Sequence, residues 1–242
     1  MIRRHIHPDP EKTAEACAVH VSGLLDAARS ARGMASLAVS GGSTPKLMFQ
    51  DLVRSGFVWD RIHVFWVDER AVPPDDPQSN FRLANESLLE PAGIPAAQIH
   101  RVHGERPPQE AAQAYEQELR RFFPVAPGEF PQFDVLHLGL GPDAHIASLF
   151  PGEPLIADRR GLVAAVWVEK LATWRITLLP GVLLAARETV FLVAGQDKAQ
   201  AVRAVFDADY DPEKYPAQVV ARNTRDVSWF LDEPAASLLP DA

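Results

Sequence analysis

The chain has 242 residues, of which 47% are hydrophobic and 23% charged, ordinary globular usage that excludes a disordered or fibrous protein. A net charge of −8 with no run of five or six like charges argues against nucleic acid as a partner. No apolar stretch approaches the roughly 18–20 residues of a bilayer span, no apolar signal core follows the N-terminus, and the single Cys17 excludes an intrachain disulfide and a multi-cysteine metal site, so a cytoplasmic protein without a membrane partner is expected.

Asp9-Pro10 caps and opens a helix over residues 11–32, which Gly33 stops. A strand over 36–40 runs into Ser40-Gly41-Gly42-Ser43-Thr44-Pro45. There two glycines allow tight turning, Thr44 caps a second helix ending at Gly56, and Pro45 suits its first position. N–H groups exposed at a helix start form an anion site, which makes Gly41, Gly42, Ser43 and Thr44 candidate binding residues. The next strand, 62–67, delivers Asp68-Glu69-Arg70 at its carboxyl end. The planar arginine fork suits phosphate, while neighbouring carboxylates orient it or bind hydroxyl groups. Past a proline-rich loop, helices are expected over 79–89 and 109–123.

A strand over 133–138 empties through Gly139 and Gly141 onto His145, with a helix-like segment after it. A titratable imidazole at the carboxyl end of a strand sits where open α/β sheets bind their ligands. It can take a proton from water, and Asp143 is placed to hold its tautomer. Strands over 162–168, 175–178 and 189–194 follow, then Gly195-Gln196-Asp197-Lys198 at the start of a helix over 197–208, and a closing strand over 226–231. Lys198 opposes the helix dipole, so it is expected to close on an anion held by the first loop and Arg70. His5 and His7 share a strand face and His100 lies near His103, but no cluster has zinc spacing, so no metal is expected. His137, inside an apolar strand, is expected to be a satisfied core residue. Ser148 lacks a nucleophile elbow, which argues against covalent serine catalysis. The alternation of strands and helices implies a mostly parallel sheet with helices on both faces, in one domain over 1–242.

The motif at 40–45, Val67-Asp68-Glu69-Arg70 with Ser79-Asn80, the run 138–151 and the motif at 195–199 occur in this order, with Pro216-Ala217-Gln218 and Trp229-Phe230-Leu231-Asp232 beyond them. Together they resemble the 6-phosphogluconolactonases over nearly the whole chain. The resemblance implies a Rossmann-like three-layer αβα sandwich with a mostly parallel central sheet, related to glucosamine-6-phosphate deaminase and ribose-5-phosphate isomerase. It implies hydrolysis of 6-phospho-D-glucono-1,5-lactone to 6-phospho-D-gluconate, the second step of the oxidative pentose phosphate pathway, without metal, cofactor or covalent intermediate. By that resemblance His145 matches the histidine that activates water, and Arg70 and Lys198 match the phosphate-binding cations beside the 41–44 turn. Asp143 is the expected catalytic partner of His145, and Asp68, Glu69, Asn80 and Arg175 complete the expected substrate contacts. Backbone N–H groups around 141–145 are the expected oxyanion donors. The implied partner is a small sugar-phosphate lactone, with the chain a monomer or weak homo-oligomer.

The family usually has Gly-His-Thr where this chain has Ala144-His145-Ile146, and Asn near Leu184. If position 144 needs φ > 0, alanine costs about 1–2 kcal/mol there, and Ile146 removes a hydroxyl. Glucosamine-6-phosphate deaminase, an isomerising enzyme, is the nearest alternative. Its pattern, however, continues toward Phe-Asn-Glu-Pro where Ser148-Leu149-Phe150-Pro151 stands here, and it usually has tyrosine in place of Arg70. A non-catalytic sugar-phosphate sensor is the other alternative; such regulators usually carry a DNA-binding or partner-binding domain, and no helix-turn-helix extension or basic tail is visible.

Overall fold

The computed structural model describes residues 2–126 and 128–240. β1 (Ile2–His7) leads into α1 (Pro10–Arg32). Asp9 caps α1 by accepting from the Lys12 N–H at 2.7 Å, and Gly33, at φ 80°, turns the chain out of it. β2 (Ala35–Val39), α2 (Ser43–Arg54) and β3 (Ile62–Trp66) form a βαβ unit, and β4 (Asp68–Arg70) follows one residue later. α3 (Asn80–Ala84) runs on into a π turn over Asn85–Leu89, ahead of β5 (Ile99–His100), α4 (Pro108–Phe122) and β6 (Val135–Leu138). β7 (Val163–Val168), β8 (Thr173–Leu178), α5 (Pro180–Ala185) and β9 (Glu188–Val193) come next. α6 (Ala199–Asp207), α7 (Ala217–Asn223), β10 (Val227–Asp232) and α8 (Glu233–Ala236) complete the order.

Seven strands form one parallel sheet in the order β1-β10-β9-β6-β2-β3-β5. Every residue of β2, β6 and β10 is buried, which is why these strands read as continuous apolar runs covered on both faces. β2 leads through α2 to β3 on one side, whereas β6 and β9 lie on the other. Strand order therefore reverses between β2 and β6, and the loops leaving β2, β6 and β9 open into the crevice at that reversal.

β7 and β8, expected in the parallel sheet, stand apart from it. They pair antiparallel with each other, and β8 pairs with β4, in a second sheet ordered β4-β8-β7. Residues 169–172 alone join β7 to β8, and a parallel connection needs a crossover of about a dozen residues or more. This pairing sets Arg70 opposite Arg175.

No helix follows His145. Ala144 and Ala147 adopt φ 63° and 50°, and Ile146 and Leu149 form an isolated antiparallel bridge, a left-handed geometry that a right-handed helix excludes. The condition of positive φ at position 144 is thus met. Because Ala144 is 1% exposed, glycine there would relieve strain but lose a buried methyl of about 0.8 kcal/mol and add unfolded-state freedom. Ala172, which turns the β7–β8 hairpin at φ 46° and is exposed, has no such offset from burial. Ala172→Gly is expected to raise stability by about 0.5–1 kcal/mol, read as a higher urea midpoint at unchanged slope; an unchanged or lower midpoint would contradict it.

His137 is fully buried in β6, but only half satisfied: Nδ1 accepts from the Ser40 N–H at 3.4 Å and Nε2 has no protein partner. Burial pushes its pKa down to about 3. Below pH 6.5 the unfolded chain takes up a proton at this ring while the folded chain stays neutral down to about pH 3. The stabilisation is therefore complete above about pH 6.5 and is lost progressively on acidification. At pH 5 the loss from this ring is about 2 kcal/mol. Burial shifts His5, His20 and His63 in the same direction. Urea unfolding at pH 7 and 5 should show wild type losing about 2 kcal/mol more than His137→Leu; equal losses would show that the ring does not govern the acid limb.

Candidate active site

The β2–α2 turn forms one wall of the crevice. Gly42, at φ 127°, is the N-cap of α2, so Thr44 lies inside the first turn rather than capping it. No side chain caps this helix start, which leaves its N–H groups facing the crevice as anion donors. A Cβ on Gly41 would lie 1.9 Å from Asn80 Oδ1, so glycine is what lets Asn80 close against the turn. Asn80 in turn donates through Nδ2 to the Asp68 carbonyl at 2.9 Å.

The second sheet supplies the cations. Arg70 and Arg175 occupy facing register positions, and both Nε atoms are buried without a protein partner. Burial and then the Arg70 guanidinium pull the Arg175 pKa down, against Asp68 and Glu69, which push it up. Two like charges held together at the floor of a cavity constitute a site built for an anion. Lys198 reaches the same cavity from the turn after Gly195, whose N–H donates to both Asp232 carboxylate oxygens at 3.0 and 2.9 Å. Asp68 accepts from Ser148 Oγ at 2.6 Å, so Ser148 supports a carboxylate rather than acting as a nucleophile.

Glu69 corrects the expectation drawn from sequence. It is 2% exposed and lies outside the cavity wall. Its carboxylate accepts from the N–H groups of Arg70, Asn80 and Phe81 at 2.7–2.8 Å and from Ser79 Oγ at 3.1 Å. Burial raises its pKa against those bonds. Glu69 therefore anchors the start of α3, and through it Asn80, without facing a ligand.

His145 stands on the β6 loop. A Cβ at Gly141 would lie 1.9 Å from the His145 Nδ1, so the glycine makes room for the ring. Nδ1 pairs with Asp143 Oδ1 at 2.6 Å, and the Phe150 ring packs 4.1 Å from the imidazole, centre to centre. Burial pushes the Asp143 carboxyl up, but hydrogen bonds from His145 and Lys170 outweigh it and hold the group well below the usual carboxylate range. Asp143 lies behind the imidazole and is not on the cavity wall. Three of the expected oxyanion donors are already engaged: Gly141 N–H donates to the His145 carbonyl, Ala144 N–H to the Gly141 carbonyl, and His145 N–H to Asp143 Oδ1.

One cavity of about 450 Å³ gathers Gly41, Gly42, Ser43, Thr44, Asp68, Arg70, Asn80, His145, Arg175 and Lys198. Phe150, from the 138–151 run, and Lys170, which no sequence motif marks, also line it. His100 contacts His63 at 2.9 Å and Glu118 at 2.7 Å rather than His103, and no group of metal-ligating side chains suited to an ion occurs among the described residues. No helix among them is long and apolar enough to cross a membrane.

The model of the family described as glucosamine-6-phosphate isomerases/6-phosphogluconolactonase matches residues 8–229. The chain belongs to this family. It is 39% identical over 226 residues to a 6-phosphogluconolactonase of Synechocystis, covering 93% of each chain. Among solved structures, the 6-phosphogluconolactonase of Trypanosoma brucei superposes with a TM-score of 0.90 at 26% identity, covering 99% of both chains. A monomeric glucosamine-6-phosphate deaminase superposes at 0.82 with 20% identity over 98% of this chain and 99% of that one, a likeness of fold. The two activities named for this family thus share one αβα scaffold, and the side chains of the crevice must separate them.

Proposed function

We propose that this chain hydrolyses 6-phospho-D-glucono-1,5-lactone to 6-phospho-D-gluconate in this cavity, as a single cytoplasmic domain using no cofactor or metal. The observation that carries it is the His145–Asp143 pair facing an anion-binding floor across one cavity. Arg70, Arg175, Lys198 and the start of α2 hold the phosphate, while Asp68 and Asn80 offer polar atoms to the sugar hydroxyls. Asp143 accepts a hydrogen bond from Nδ1–H, which leaves the Nε2 lone pair for a water molecule. Nε2 takes a proton as the water oxygen bonds to the lactone carbonyl carbon. The tetrahedral intermediate then collapses with cleavage of the bond to the ring oxygen, which receives that proton from the imidazolium. Fixing the phosphate restricts the carbonyl to the imidazole side of the cavity, where the entropic cost of alignment has already been met.

Support comes from family membership and from Arg70, which stands where the deaminases usually have tyrosine. The test is release of 6-phosphogluconate from freshly generated lactone, with ammonia release from glucosamine 6-phosphate measured in parallel. Turnover of the lactone well above its spontaneous opening is the expected result. Ammonia release instead would favour the deaminase, and phosphate-ester binding with neither product would favour a sensor.

A further inference from the structure

We propose that Lys170 is a positioning residue for the imidazole of His145, an inference that rests on the base role given to His145 above. Lys170 lies at the tip of the β7–β8 hairpin, in a different sheet from the strand that carries His145. Its ammonium pairs with Asp143 Oδ2, the carboxylate oxygen that the imidazole does not use. The same Nζ lies 4.3 Å from the centre of the Phe150 ring, and that ring packs on His145. Lys170, Asp143, His145 and Phe150 therefore form a closed circuit of contacts, two of them charged and two through ring faces.

The circuit answers a geometric problem. Asp143 rides on a loop and its side chain is 29% exposed, so a carboxylate tethered through one oxygen alone could rotate and carry the ring with it. Pinning the second oxygen removes that freedom, and the cation against Phe150 steadies the ring that packs on His145. Asp68, Arg70, Arg175 and Lys198 share the cavity with His145, and Asp143 lies behind it. Of these cations and Lys170, Lys170 is the one in contact with the partner of the imidazole.

The full-length chain carrying Lys170→Met or Lys170→Arg tests this beside His145→Ala, with freshly generated lactone. The Lys170 side chain is half exposed, so both variants should fold as wild type does. Lys170→Met should lower kcat about tenfold or more and leave KM within about twofold. Lys170→Arg should restore most of kcat, because it keeps a cation against Asp143 and Phe150. A KM rise of about tenfold with kcat intact would mean that Lys170 holds substrate, and would overturn the proposal. A wild-type kcat in Lys170→Met would overturn it as well. If His145→Ala is inactive while Lys170→Met matches wild type, only the role of Lys170 falls; if His145→Ala retains full rate, the base assignment falls first.

Discussion

Replacing His145 by alanine should lower kcat for lactone opening about 10²–10⁴-fold, the usual contribution of a positioned general base. The fold should survive, because the imidazole stands over Gly141 at the cavity rather than in the core. KM should change little, since the phosphate is held at the other end by Arg70, Arg175 and Lys198. Initial rates must be taken above the spontaneous opening of the lactone, and binding of 6-phosphogluconate followed separately. A variant that binds product normally and turns over no faster than buffer would bear out the assignment. A variant within threefold of wild type would sink it and move attention to Asp68, the carboxylate on the cavity wall.

Arg175→Gln should produce the complementary defect. A charge-assisted hydrogen bond is worth about 1.5–3 kcal/mol, hence about a 10–150-fold rise in KM if it acts equally in ground and transition states. Its effect on the free protein should have the opposite sign. Arg175 faces Arg70 with its Nε buried and unpartnered, so removing one of two like charges should leave the melting temperature unchanged or higher. Inorganic phosphate should protect wild type against heat by binding the folded state, and the variant far less. Loss of stability together with an unaltered KM would show that Arg175 is structural and that the phosphate lies elsewhere.

The parts of the site legible in the sequence are those where local chemistry and local geometry coincide. A strand followed by Gly41-Gly42, or by Gly139 and Gly141, announces a turn at the carboxyl end of a strand, and that end is where the parallel sheet opens. Glu69 was misplaced because its identity suggests a ligand, whereas its role as an anchor for α3 depends on which way a three-residue strand faces. Lys170 left no signal, since what makes it a neighbour of His145 is the approach of a second sheet; Phe150 stood inside the 138–151 run, but nothing in that run marked it as packing on the imidazole. That sheet was itself hidden: the runs at 162–168 and 175–178 are as apolar as the strands of the central sheet, and only the short turn between them dictates antiparallel pairing. The short helices α5 and α7, which open at Pro180 and after Pro216, offered too few turns for a periodic pattern.

Among the described residues β1 has a single neighbour, β10. The first strand of the chain thus finds its place only after residues up to Asp232 exist, a contact spanning more than two hundred positions and of the kind that slows folding. On the ribosome the backbone groups of β1 must wait without a strand partner while the rest of the sheet assembles. Asp232, which fixes the Lys198 turn through Gly195, belongs to that same late strand. The cation at the edge of the cavity is consequently set in order last, so a nascent or C-terminally clipped chain would carry a nearly complete site that cannot yet grip its anion.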